Sequence, residues 1–238
     1  MKRLDQLKVK IFADGADLKG ILEYYSNPLI KGFTTNPTLM RKSGITDYEG
    51  FAHQVLEHVT DRPVSFEVFS DDFKEMERQA RKISTWGKNV FVKIPITNMS
   101  QKSSVDVVRH LVLEDIQLNI TALMTPDQVR VISPVLGNHI PSFISIFAGR
   151  VADTGREPGP LMREAVEIMS QYPNQELIWA SPRELLNIYH ADEVGCHVIT
   201  VTHDILKKLA LLGKDLDEFS LDTVKMFHQD AKKAGFEL

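Results

Sequence analysis

A chain of 238 residues, 43% hydrophobic and 25% charged, suits one large globular domain, and α/β barrels commonly run to this size. Its 28 Lys and Arg are scattered among 32 Asp and Glu, and the net charge of −4 offers no basic patch for nucleic acid. A single cysteine, Cys196, leaves no internal disulfide to form, and no apolar run has the length of a membrane span or the form of a signal-peptide core. A soluble, cytoplasmic protein is expected.

Short apolar runs alternate with amphipathic stretches along the whole chain. Val9–Ala13 reads as a strand ending at Asp14, followed by a helix over Ala16–Tyr25. Ile30–Phe33 leads a second strand into Thr34-Thr35-Asn36-Pro37, and Tyr48–Val59 has helical spacing. Val64–Phe69 is the third strand and Asp72–Ile83 a charged helix. Val90–Ile94 precedes a helix over Ser103–Leu113. Ile116–Ile120 is the fifth strand, after which Thr125-Pro126-Asp127-Gln128 reads as an N-cap, a first-turn proline and a capping-box partner. Ser142–Phe147, Leu177–Ser181 and His197–Val201 complete eight strands, interleaved with helices over Pro160–Tyr172 and Glu184–His190. Helices over His203–Leu212 and Leu221–Ala234 close the chain.

Eight apolar strands separated by helices imply a parallel sheet covered by helices, and eight closes a barrel. An open doubly wound sheet is the competitor, but no Gly-rich phosphate turn follows the first strand. The expectation is a single-domain (β/α)8 TIM barrel over residues 1–238, with an extra C-terminal helix.

One strand is unusual. Lys93 lies inside the apolar run Val90–Pro95. A buried lysine is costly unless its charge is paired or removed, and burial disfavours the ammonium form, as an amine nucleophile requires. A lysine snorkelling from a strand end is the alternative. Other polar residues recur at strand ends: Asp14, Asn36, Glu67, Asn119 with Thr121, Ser145 and Ser181. Each alone has a structural explanation as a cap, a turn residue or a satisfied core group. Together they place a lysine, two carboxylates and several hydroxyls and amides on one rim, as a polar site in an apolar pocket requires.

Val-Lys-Ile-Pro around Lys93, Gly32-Phe33-Thr34-Thr35-Asn36-Pro37, Asn119-Ile120-Thr121 and Ser145-Ile146-Phe147-Ala148-Gly149-Arg150 together resemble the transaldolase family, in its short branch that includes fructose-6-phosphate aldolases. The likeness runs from about Ile11 to Val201. It implies that Lys93 forms a Schiff base with a ketose, that Asp14 is the general base of carbon–carbon cleavage, and that Glu67 and Thr121 hold a water for imine formation and hydrolysis. Asn36, Asn119 and Ser145 resemble the groups that hold the hydroxyls of the bound three-carbon unit, with Thr34, Phe147 and Ser181 completing the substrate side. Arg150 and Arg183 resemble its phosphate-binding arginines. Pro182 and Ile146 depart from the usual pattern nearby, so another anionic tail, such as a sulfonate, is an alternative.

Glu67 and Phe147 match transaldolases, where the aldolases are similar to glutamine and tyrosine. The resemblance thus implies transfer of a dihydroxyacetone unit from a ketose phosphate, such as fructose 6-phosphate or sedoheptulose 7-phosphate, to an aldose phosphate, with neither cofactor nor metal. The alternatives are an aldolase releasing dihydroxyacetone and an inactive barrel serving as a binding module. The sugar phosphates are the expected partners, with no nucleic acid and no membrane. The amphipathic stretch with Val224, Phe227 and Ala231 resembles the helix through which small transaldolases exchange subunit contacts in pentamers or decamers. Packing on its own barrel is the alternative.

Overall fold

In the computed structural model, which describes residues 2–237, eight parallel strands close into a barrel in chain order, β8 pairing back to β1. The strands are β1 (Lys10–Asp14), β2 (Ile30–Thr34), β3 (Val64–Glu67), β4 (Val90–Pro95), β5 (Leu118–Leu123), β6 (Ser142–Ile146), β7 (Gln175–Trp179) and β8 (Val198–Thr202). Between them run α1 (Leu18–Tyr25), α2 (Pro37–Lys42), α3 (Tyr48–His58), α4 (Phe73–Ser84), α5 (Val105–Leu113), α6 (Pro126–Leu136), α7 (Ala148–Asp153), α8 (Gly159–Met169) and α9 (Leu186–Glu193). The short α10 (His203–Leu206) follows β8. This is the (β/α)8 barrel that the alternating pattern predicts.

The chain divides after Leu206 into two compact units. The second holds a 3-10 turn over Lys207–Leu211 and the C-terminal helix α11 (Leu216–Ala234). Asp215 caps α11 by accepting from the amides of Asp217 and Glu218, and Gly235 ends it in the left-handed region at φ +68°. Val224 and Phe227 of this helix are exposed.

Side-chain caps fix where the helices begin. Asp17, Asn36, Asp47, Asp72 and Thr125 each accept from the third residue of the helix they precede, and Gln128 closes the capping box at Thr125. Some boundaries differ from the sequence expectation. β3 stops at Glu67 because the amides of Phe69 and Ser70 turn to Gln79 Oε1, at 2.8 and 3.1 Å. The helix expected over His203–Leu212 breaks into α10 and a 3-10 turn, and the final helix starts at Leu216 rather than Leu221. Helices α2 and α7 were not expected, although Asn36-Pro37 carries a cap and a first-turn proline.

Inside the barrel, Phe12, Phe91 and Phe143 form the base of the core, with ring centroids 5.6 Å apart for Phe12–Phe143 and 4.4 Å for Phe91–Phe143. Gly32 makes room for them: a Cβ there would lie 2.6 Å from the Phe12 ring. Between the strands and their helices, Cys196 is buried with Sγ 3.2 Å from the Leu177 carbonyl and 3.3 Å from that of Val198. Burial pushes its thiol up to about 12, the pattern of an inert packing residue. Among the described residues no helix is long and apolar enough to cross a membrane.

Truncating the aromatic base leaves a hole that the closed barrel cannot collapse. Phe12→Ala is expected to cost about 3–5 kcal/mol of unfolding free energy, read as a lower urea midpoint.

Candidate active site

Successive strand residues point alternately into the barrel and out to the helices. Two residues above the aromatic base, the inward positions turn polar: Asp14 follows Phe12, Lys93 follows Phe91 and Ser145 follows Phe143. These residues line a cavity of about 390 Å³ at the carboxyl ends of the strands. In this fold that end is where chemistry is carried out.

Lys93 is 6% exposed and its nitrogen lies inside the barrel. The ammonium donates to the Thr35 carbonyl at 2.8 Å and stands 3.6 Å from Glu67 Oε2. The register of β3 and β4 puts Glu67 directly beside Lys93. The snorkelling alternative is thereby removed, because the side chain points away from the surrounding helices.

Asp14 Oδ1 accepts from the Thr34 hydroxyl at 2.7 Å. Thr34 Oγ1 also lies 2.5 Å from Thr200 Oγ1. A hydroxyl has one proton to give, so with Thr34 donating to Asp14, Thr200 donates to Thr34. Asn36 donates from Nδ2 to Asp14 Oδ2 at 3.4 Å, while its Oδ1 accepts from the Leu39 amide and caps α2. Burial raises the Asp14 carboxyl above its ordinary range, and the Lys93 charge followed by the Thr34 hydrogen bond pulls it partly back.

Asn119 is fully buried behind the cavity wall. Its amide donates to Ser65 Oγ at 3.0 Å and its oxygen accepts from Ser145 Oγ at 2.7 Å. Two residues on, the pairing of β5 with β6 shifts register, and Ala122 sits in the left-handed region at φ +64°. This irregularity places Thr121 in the cavity, 2% exposed, with no protein partner for its hydroxyl. A buried hydroxyl in that state calls for a partner that the protein does not supply, such as a water or a substrate oxygen.

The two arginines expected to bind an anion come from α7 and from the segment after β7. Arg150 sits with its guanidinium 5.5 Å from the Phe147 ring centroid, and among the described residues it has no ion-pair partner. Arg183 is tethered, its Nε donating to Asp153 Oδ1 at 3.0 Å and its Nη2 to Asp153 Oδ2. Ser181 adopts φ +60°, and its carbonyl occupies the space of an absent side chain, 1.5 Å from where a Gly149 Cβ would be.

A family profile described as transaldolase/fructose-6-phosphate aldolase matches residues 11–238. The chain belongs to that family. A probable transaldolase of Thermoanaerobacter sp. (strain X514) is 29% identical over 97% of this chain and 100% of its own length. One from Methanococcus maripaludis (strain C7) is 32% identical over 90% of this chain and 97% of its own. Among solved structures, a putative fructose-1,6-biphosphate aldolase from Coccidioides immitis aligns over 90% of this chain and 82% of its own, with TM-score 0.55 and 14% identity, which is a likeness of fold.

In this member of the transaldolase/fructose-6-phosphate aldolase family, the cavity brings together Lys93, Asp14, Glu67, Thr121, Thr34, Asn36, Ser145, Phe147, Arg150, Ser181 and Arg183. Asn119 is the exception: it lies one layer back and touches Ser145 instead. Sequence reasoning missed Thr200, Thr202 and the α2 residues Thr38 and Leu39, which also line the cavity. Inward alternation along β8 was the available signal for Thr200. Among the described residues no cluster of three or more His, Cys, Asp or Glu is placed to hold a metal ion.

The raised Asp14 carboxyl makes a signed prediction. An acid whose folded pKa exceeds its unfolded value favours folding in its protonated form. That contribution is complete below the unfolded value of 3.8 and is lost as pH rises through the folded value. Asparagine accepts from Thr34 as the neutral acid does. Asp14→Asn is therefore expected to raise the melting temperature at pH 7–8, with the gain shrinking as pH falls toward 4.

Proposed function

We propose that this protein is a Schiff-base transaldolase. It moves a dihydroxyacetone unit from a ketose phosphate, such as fructose 6-phosphate or sedoheptulose 7-phosphate, to an aldose phosphate. The observation that carries this reading is the enclosed Lys93 amine, flanked by a carboxylate 3.6 Å away and within electrostatic reach of Asp14.

The unprotonated amine adds to the ketone carbon, and the carbinolamine loses its oxygen as water to give an imine. Glu67 and Thr121 are the groups beside Lys93 suited to moving the protons of that step; the unpartnered Thr121 hydroxyl supports a bound water there. Asp14 then takes the proton of the hydroxyl on the carbon beyond the breaking bond. The bond's electron pair passes into the iminium and the aldehyde leaves. A carboxyl held above its usual range is a stronger base than an exposed one, which suits this step. The enamine left on Lys93 attacks the acceptor aldehyde, and hydrolysis of the new imine completes transfer. Ser145, held by Asn119, and Asn36 line the cavity, which supports a role for them in taking the hydroxyls of the three-carbon unit. Phe147 offers no hydroxyl to help release that unit to water, which favours transfer over free cleavage. The exposed apolar side chains Val224 and Phe227 of α11 support assembly into a homo-oligomer.

One observation favours a second reading of the tail. Asp153 neutralises Arg183, so of the two arginines lining the cavity Arg150 is the one without an ion-pair partner among the described residues. A phosphate monoester carries about 1.5 to 2 negative charges at pH 7, whereas a sulfonate carries a single one. A ketose with a sulfonate tail matches that charge more closely.

Incubation with ketose and borohydride, followed by mass spectrometry, is expected to place a reduced three-carbon adduct on Lys93 and none on the Lys93→Ala protein. Product should form quickly only when an acceptor aldose is present. A modified lysine elsewhere, or free dihydroxyacetone at an equal rate without acceptor, contradicts the transferase reading. Asp153→Asn releases Arg183 and is expected to lower KM for fructose 6-phosphate relative to its 6-sulfonate analogue by about tenfold, the scale of one charge-assisted interaction. An unchanged ratio of the two KM values removes the sulfonate argument.

A further inference from the structure

Glu67 reaches the cavity from the end of the shortest strand. β3 has four residues, and its pairing with β2 is confined to Phe33↔Val64 and Thr34↔Ser65. Beyond that point the chain leaves β2 for Asn36 and α2. Glu67 keeps a strand neighbour on the β4 side, where Val68 donates to the Lys93 carbonyl at 3.2 Å. Its own N–H and C=O point the other way, toward the place where β2 has ended.

Tyr48 fills that place. The Glu67 amide donates to the Tyr48 hydroxyl oxygen at 2.7 Å, and the hydroxyl donates back to the Glu67 carbonyl at 3.1 Å. One phenol satisfies both main-chain groups, as the missing strand would have done. The phenol is itself well held. It belongs to the first residue of α3, whose start is fixed by the Asp47 cap on the Gly50 amide at 2.9 Å. Its ring packs edge-on against Phe66, Phe69 and Trp86, with centroids at 6.1, 4.5 and 5.6 Å. Burial raises the hydroxyl far above the ordinary tyrosine range, so the donated proton stays in place at any working pH.

We infer that Tyr48 is a positioning residue for Glu67: its hydroxyl closes the open edge of β3 and thereby sets where the Glu67 carboxylate stands relative to the Lys93 amine. The inference rests on the Schiff-base reading above, in which Glu67 serves formation and hydrolysis of the imine. Removing the hydroxyl leaves both main-chain groups unpaired and frees the strand end to shift. Imine formation slows, while the bond cleavage served by Asp14 on β1 does not.

Tyr48→Phe keeps the ring and removes only the hydroxyl. Rapid mixing with ketose and quenching in borohydride reads the rate of imine formation on Lys93. The variant is expected to be slower by about tenfold, the scale of losing a buried hydrogen bond at a reacting group. In a Glu67→Gln background the same change should have little further effect, because the group it positions has already been altered. Equal trapping rates in wild type and Tyr48→Phe overturn the inference. An equal fold-loss in both backgrounds also overturns it, since that is the signature of a general structural role. If Tyr48→Phe does not fold, the wild-type protein supplies the test: the Glu67 amide should exchange with deuterium slowly, and exchange as fast as that of an exposed loop amide overturns the proposal. Failure of the wild-type protein to trap ketose on Lys93 would instead count against the Schiff-base reading.

Discussion

A single amine enclosed in the barrel governs the arrangement around it. Lys93 has almost no contact with solvent, so the protein must supply what water would have supplied. It does so from two neighbouring strands that both end early. The segment after β2 offers the Thr35 carbonyl, and β3 offers the Glu67 carboxylate. Strands that end early leave main-chain groups without partners. Thr35 resolves this by bonding to the Ser65 carbonyl through both its amide and its hydroxyl, and Glu67 resolves it through Tyr48. The polar site and the irregular edge of the sheet are therefore one feature.

The upper half of the barrel interior is a set of linked polar groups resting on an aromatic base. Thr200, Thr34 and Asp14 form one chain; Ser65, Asn119 and Ser145 form another. All three members of the first chain face the cavity, whereas the second fixes Ser145, which faces it, by means of Asn119 and Ser65, which do not. Satisfied networks of this kind hold a rigid geometry, whereas a partly satisfied one is costly. The exceptions are informative. Thr121 retains an unused hydroxyl, and Asp14 is held where burial disfavours its charge. Both depart from what stability alone would select, and both face the cavity.

The barrel and most of the cavity lining were legible in the sequence because strand periodicity and polar strand ends are both local signals. Lys93 stood out as a charge within an apolar run. Thr200 did not, because threonine is an ordinary strand former and nothing local says that it faces inward. Tyr48 did not, because at the start of an amphipathic helix an aromatic residue reads as core. Asn119 was legible as polar and inward but not as second-layer, since depth below the rim depends on strand stagger. The state of Arg183 was hidden for a related reason: its partner Asp153 lies thirty positions away, on a helix that periodicity did not reveal.

The chemistry of Cys196 has a practical use. It is the chain's only thiol, it is buried, and it resists ionisation. Thiol-directed dyes and spin labels react with the ionised form at an accessible sulfur. The native protein therefore offers a silent background for them. A cysteine introduced on a rim loop could carry a fluorophore at one known position without first stripping the chain of its own sulfur, and motions of the cavity mouth could be followed in otherwise unaltered protein.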